Sequence, residues 1–330
     1  MAKAPASKRP TTSAKGPQSP RRPPQGPAKG PTKGPAKGGR PAGLFTWLAV
    51  GLVIIVVVAL VIIKVTSGSP STNSDSGFTA TSPTIVKQLT DIPASVFNGV
   101  GIDSPVAQVS PPVAAKNQPL LSATSASGAT LPEVLYVGAE YCPFCAAQRW
   151  TTIIALSRFG TFSGLGDMTS SSIDEFPNTP TFTFIKATYK SKYLVFKSVE
   201  EYTNITDSKN DFYFPLQKPT AAEEANFKKY DTSKWIPGET AQEDGSIPYI
   251  SYGDQYLVAG ASYTPATLAN LSRSQIAAGL DAPSSPVTQA IITSANYQSA
   301  AICVLTKNQP GNVCGSSGVM AAKKAMGITK

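Results

Sequence analysis

The stretch Glu133-Val-Leu-Tyr-Val-Gly-Ala-Glu-Tyr-Cys142-Pro143-Phe144-Cys145-Ala-Ala-Gln-Arg-Trp150 decides the fold. Its first seven residues form a short, apolar, β-prone run, the pattern of a buried strand. Past the cysteines, Trp150, Ile153, Ile154 and Leu156 recur at helical spacing, and Gly160 offers a stop. The unit is therefore strand, Cys-x-x-Cys, helix. Cys142 takes the capping position, where unpaired N–H groups and the positive end of the helix dipole favour a thiolate. Pro143 suits the first turn because it has no N–H to leave unsatisfied. Cys142 is then the candidate nucleophile. Cys145, one turn further in, is the candidate resolving thiol, able to attack a mixed disulfide on Cys142.

The chain is 330 residues long and contains no histidine. A Ser-His-Asp triad, a Cys-His pair, histidine metal ligands and a histidine base are excluded. Thiol–disulfide chemistry needs none of them, and no cofactor is expected.

Downstream, Thr181–Tyr189 (TFTFIKATY) reads as a second strand and 193–199 as another. Thr220 and Glu223 form a capping box that opens a helix to about Tyr230. Gly245-Ser-Ile247-Pro248-Tyr-Ile-Ser-Tyr252 is a strand entered through a proline, and Gly253-Asp254 turns it into a hairpin. A proline at that place fits a cis Ile247–Pro248 bond at a strand edge that faces a partner. There the Ile247 backbone could pair with an extended peptide. An ordinary trans proline at a strand start is the other reading. A helix is expected from Pro265 to about Ala278, then one over 286–303 and a last over 317–326.

In the order strand, Cys-x-x-Cys helix, strand, proline strand, hairpin strand and helix, the sequence resembles the thioredoxin fold. The Pro-Phe between the cysteines resembles the glutaredoxin type. More closely, the chain is similar to a family of bacterial membrane-anchored proteins with a domain of unknown function. Its members share the VGAEYCPFCAAQRW block and a C-terminal cysteine pair. The fold resemblance implies an α/β domain with a central mixed sheet and flanking helices, Cys142 as nucleophile, Cys145 as resolving cysteine and Pro248 as the cis-proline. Two departures stand out: Tyr141 in place of a tryptophan, and a large insertion over about 190–245.

Cys303 and Cys314 form a second pair. A structural disulfide closing a small loop, a shuttle pair serving Cys142/Cys145, and a zinc site built from all four cysteines are the readings to separate. Glu200-Glu201 and Glu223-Glu224 read as solvated surface. Tyr136, Tyr249, Tyr252 and Tyr256 read as core or rim.

The N-terminal part differs in kind. Residues 1–40 hold ten Lys/Arg and no acid, while the remainder is close to neutral, so the formal charge of +9 belongs to the tail. Residues 1–43 carry a Gly-Pro-x-Lys repeat that cannot pack a core; they read as a disordered cytoplasmic tail attracted to anionic lipid. No aromatics interleave with the bases, so nucleic acid is not an expected partner. Residues 44–63 are an uncharged run of 20 with Trp47 near one end. At ~1.5 Å per residue that run matches a bilayer's hydrocarbon of ~30 Å and reads as a transmembrane helix. The basic tail before it places the N-terminus inside and the C-terminal domain outside the cell membrane. Residues 64–82 read as a flexible linker, 83–330 as the extracytoplasmic domain, and about 283–330 as a helical extension.

Two functions compete. One is a membrane-anchored thiol-disulfide oxidoreductase acting on exported or membrane proteins, recycled by a membrane redox partner. The other is a non-catalytic binding or scaffold module whose disulfides are structural.

Overall fold

A computed structural model describes residues 77–104 and 108–329. The tail, the apolar run 44–63 and most of the linker lie outside the described residues. Among those described, no helix is long and apolar enough to cross a membrane.

The described chain is mixed α/β. Its strands are β1 (Thr79–Ala80), β2 (Val113–Ala114), β3 (Ser122–Thr124), β4 (Thr130–Gly138), β5 (Thr161–Ser163), β6 (Gly166–Thr169), β7 (Pro180–Thr183), β8 (Thr188–Lys190), β9 (Val195–Glu200), β10 (Tyr202–Asp207), β11 (Phe212–Pro215), β12 (Tyr249–Tyr252) and β13 (Tyr256–Ala259). Its helices are α1 (Pro83–Thr90), α2 (Ala94–Val100), α3 (Pro143–Ser157), α4 (Ala221–Tyr230), α5 (Arg273–Gly279), α6 (Pro286–Leu305), α7 (Gly311–Cys314) and α8 (Ser317–Ala325). Helix starts follow local chemistry. Ser82 Oγ accepts the Ile85 N–H ahead of α1, and both reciprocal bonds of the Thr220/Glu223 capping box are made.

The central sheet runs β9-β4-β12-β13-β2, with β3 on the first residues of β4. Only β9 is parallel to β4; β12 is antiparallel to both β4 and β13. Gly253 and Asp254, both at positive φ, make the tight β12–β13 turn. Alternate residues feed two cores, as a period of two requires. Val134, Tyr136, Ile250, Tyr252 and Val258 face α3 and α6, where Trp150, Ile153, Ile154, Ile291, Ile292 and Ile302 are buried. Leu135, Val137, Tyr249 and Leu257 face Tyr230 of α4 and Ile236.

Thr181–Tyr189, read as one strand following the Cys-x-x-Cys helix, does not pair with β4. TFTFIKATY breaks at 184–187 into two strands that serve smaller sheets, β7 beside β6 and β8 beside β5. β7 is held by α3 instead: Trp150 Nε1–H donates to Pro180 O at 2.8 Å, the Thr181 hydroxyl donates to Ala146 O at 2.8 Å, and the Phe182 ring packs on Trp150. β9 takes the central place, so the segment 190–245 read as an insertion contributes a core strand. What lies outside the sheet is the β10–β11 hairpin, α4 and the loop to Ser246.

Two further boundaries differ. Structure begins before Pro83, because Thr79–Ala80 pairs with Gly166–Asp167. The helix expected over 265–278 is a 3-10 turn (Pro265–Leu268) followed by α5. Asn270 at positive φ interrupts it, and Ser272 caps α5 with its own box to Gln275. The C-terminal helices are no appendage: α6 is buried along nearly its whole length and packs on α3.

Candidate active site

β4 ends at Gly138. A Cβ there would lie 2.3 Å from the Tyr136 hydroxyl, so a glycine lets that ring lie beneath the turn into α3. The turn brings Cys142 to the cap of α3. Its N–H donates to Ala139 O, and its sulfur accepts the Cys145 N–H at 3.2 Å. On its other side the Cys142 sulfur lies 3.6 Å from Ile247 O, and the Ile247–Pro248 bond is cis. Residues 105 apart in sequence thus meet at one sulfur. Cys142 keeps 5% of its surface exposed and Cys145 none; both are free thiols.

Burial opposes ionisation of Cys142. Hydrogen bonds from the Cys145 thiol and backbone N–H, the Arg149 charge and the Phe144 N–H outweigh it, and the pKa falls below the ordinary thiol value. Cys145 moves the opposite way, raised by burial and then by its neighbour's sulfur. The two environments push the thiols apart: Cys142 ionises more readily than an ordinary thiol and Cys145 less readily.

Beneath the thiols lies a group that the sequence reading missed. Arg149, one turn beyond Cys145 on the same face of α3, is fully buried with Glu200 at the end of β9. The pair is bidentate: Nε to Glu200 Oε1 at 2.9 Å and Nη2 to Oε2 at 2.6 Å. Arg149 Nη2 also donates to Ala139 O at 2.7 Å, the carbonyl that receives the Cys142 N–H. The guanidinium lies 5.8 Å from the Tyr136 ring centre. Neither Arg149 Nη1 nor the Tyr136 hydroxyl has a partner. Glu200, read from sequence as solvated surface, is 0% exposed. A signal was present: an arginine four residues past Cys145 inside an apolar helix must find an anion once that helix is buried. Glu140, also buried, has its carboxyl pKa raised by desolvation, with a Thr183 hydrogen bond acting against it.

Two walls, the β10–β11 hairpin and the loop 170–179, border the Cys-x-x-Cys turn, and the Asn204 amide links them by donating to Thr169 O at 2.9 Å. The β10–β11 hairpin stacks Tyr213 on Tyr141 at 4.1 Å and sets Phe212 edge-on to the same ring. From the loop, Ser171 N–H donates to Tyr141 O at 2.8 Å, and Phe176 meets Phe144 edge-on at 5.7 Å.

The second pair is elsewhere in the fold. Cys303, in the last turn of α6, forms a disulfide with Cys314 at the end of α7. Two of four thiolates are thereby consumed, so a zinc site using all four cysteines is overturned. Among the described residues no cluster of three or more His, Cys, Asp or Glu is arranged to hold a metal.

The chain belongs to the DUF929 family, a domain of unknown function, whose model matches residues 115–304. The match spans the central sheet except β2, together with the Cys-x-x-Cys, Ile247–Pro248 and Cys303, and ends before Cys314. No curated protein and no solved structure matches the chain.

Proposed function

We propose that this protein is a membrane-anchored thiol-disulfide oxidoreductase with a thioredoxin-like catalytic domain, acting outside the cytoplasm on exported or membrane polypeptides. The observation that carries this reading is the Cys142 sulfur, capping a helix and lying 3.6 Å from the Ile247 carbonyl. The sheet order β9-β4-β12-β13 with one parallel pair, and a helix following β4, supports the thioredoxin-like assignment. The outside location rests on the uncharged run 44–63 behind a basic tail.

In the reductive direction the Cys142 thiolate attacks a substrate disulfide. One sulfur–sulfur bond forms to the substrate, and the other substrate sulfur leaves as a thiolate. Cys145 gives up its proton to that leaving thiolate and attacks the Cys142 sulfur. A Cys142–Cys145 disulfide forms, and the second substrate sulfur departs and takes a proton from solvent. Two electrons pass from the protein dithiol to the substrate, and a second dithiol returns the protein to its starting state. The oxidative direction is the same sequence reversed, with a disulfide partner restoring the protein.

The test is a trap. In the full-length Cys145→Ala chain expressed in cells, substrates remain bound to Cys142 as mixed disulfides. Mass spectrometry should find exported or membrane polypeptides on that sulfur. Absence of any adduct, together with an alkylation profile of an ordinary thiol, would favour the scaffold reading.

A further inference from the structure

Ile173, Ile205, Phe212 and Phe214 make up four of the six large apolar side chains exposed among the described residues, and all four sit on the two walls beside Cys142. Such a concentration marks a contact surface, whereas singly scattered residues would not. We propose that these walls receive an extended polypeptide segment in which apolar and basic residues flank the reacting cysteine; the inference rests on the dithiol reading above and names its substrate class.

Three observations select that occupant. First, β11 pairs only with β10 among the described residues, so its second edge offers backbone groups to an added strand. Phe212 on this strand touches the ring of Tyr141, the residue that precedes the nucleophile. Second, the loop wall borders a hollow of about 410 Å³ lined by Glu175, Phe176, Pro180, Pro265 and Leu268. Phe176 rests against Phe144, so the hollow is one ring away from the cysteines and has room for a large side chain. Third, the walls are acidic. Asp174, Glu175 and Asp211 stand among the apolar residues, Asp207 is held within the hairpin tip by the Lys209 N–H and the Asn210 amide, and Lys209 is their one cation. That charge attracts basic peptide and repels an anionic bilayer, which disfavours the lipid surface as the occupant of the same apolar residues.

The test separates docking from chemistry. Full-length protein in zwitterionic nanodiscs is titrated with fluorescent dodecapeptides whose central cysteine is replaced by serine, so no disulfide can form. A peptide with Phe, Leu and Arg flanks should bind at least roughly tenfold more tightly than one with Ser and Glu flanks. Added salt should weaken the charged part of that preference and leave the apolar part. In the Ile173→Lys/Phe214→Lys chain, which removes apolar contacts and offsets the acidic charge together, the preference should fall to within about twofold. Equal binding of both peptides to the wild-type chain overturns the proposal, as does wild-type preference for anionic vesicles over the apolar–basic peptide. Reduction of a small disulfide by the same preparation reports the thiol chemistry separately. Turnover without peptide preference removes the docking surface alone, and preference without turnover removes the redox reading alone.

Discussion

The two cysteine pairs occupy opposite ends of helices, and the contrast explains their different states. Cys142 stands at the start of α3, where backbone N–H groups converge on its sulfur. Cys303 stands in the last turn of α6 and Cys314 closes α7, where carbonyls converge instead. An anion is stabilised at the first position and disfavoured at the second. Each pair also has a buried cation, used differently. Arg149 lends its charge to the sulfurs above it, and Glu200 and Ala139 O hold it in place. Lys323 donates to Asn308 Oδ1 at 2.6 Å and Cys314 O at 2.9 Å, tying down the loop that the disulfide closes. One pair is electrostatically poised, and the other is mechanically fixed.

The sharpest way to break this comparison is to exchange the cysteines. Cys142→Ser should reduce turnover of a disulfide substrate to the background without protein, whereas Cys303→Ala/Cys314→Ala should retain turnover. Loss of turnover in the second variant, with folding intact by circular dichroism, would make that pair a redox relay.

Arg149→Met comes next. It leaves Glu200 buried without a counter-charge and should cost about 3–5 kcal/mol in denaturant unfolding. The double change Arg149→Met/Glu200→Leu should recover most of that, since an apolar pair of similar volume avoids desolvating two ions. The thiol should not recover with it. The rate of Cys142 alkylation against pH should have its midpoint below the ordinary thiol value in the wild type, because the depressed pKa leaves more thiolate at neutral pH. In both variants the midpoint should move up. A midpoint unmoved by loss of the guanidinium would confine Arg149 to a structural role.

Removing the second pair's disulfide should cost less, roughly 2–3 kcal/mol, because the closed loop is short at a sequence separation of 11. Chemical unfolding of Cys303→Ala/Cys314→Ala measures it, and an unchanged midpoint would show that α7 and α8 hold the loop without the bond.

The first pair was legible and its support was not, for a physical reason. Pro143, the helical spacing of Trp150 and Ile153, and the apolar run before the turn are local, so they identify β4, the cap and α3 from sequence alone. The same holds for the capping box of α4, whereas the Ser272/Gln275 box of α5 went unread because Asn270, which splits the expected helix, gives only a weak breaker signal. Glu200 meets Arg149 across 51 residues. Its neighbour Glu201 has the same local composition but is only half buried, so nothing local separates the two. The exchange of roles between TFTFIKATY and β9 has the same origin. Both runs are β-prone, and only long-range contacts, β7 with α3 and β9 with β4, decide which enters the central sheet.

The smallest effect belongs to Lys323, and its sign distinguishes the two cations. Its ammonium gives two hydrogen bonds, but burial lowers its pKa below the usual lysine value. A base with a depressed folded pKa holds fewer protons folded than unfolded. Between the folded and unfolded values, stability therefore rises with pH, and it falls as pH drops through the folded pKa. Lys323→Met should flatten that slope and cost only ~1 kcal/mol near neutral pH, the lost hydrogen bonds being partly offset by relief of the buried charge. Cys142 alkylation should be unaffected, because the structure places the Lys323 ammonium on the Cys314 carbonyl and not on either free thiol. A shift of the Cys142 midpoint in this variant would couple the two pairs and end the division between a poised thiol and a fixed one.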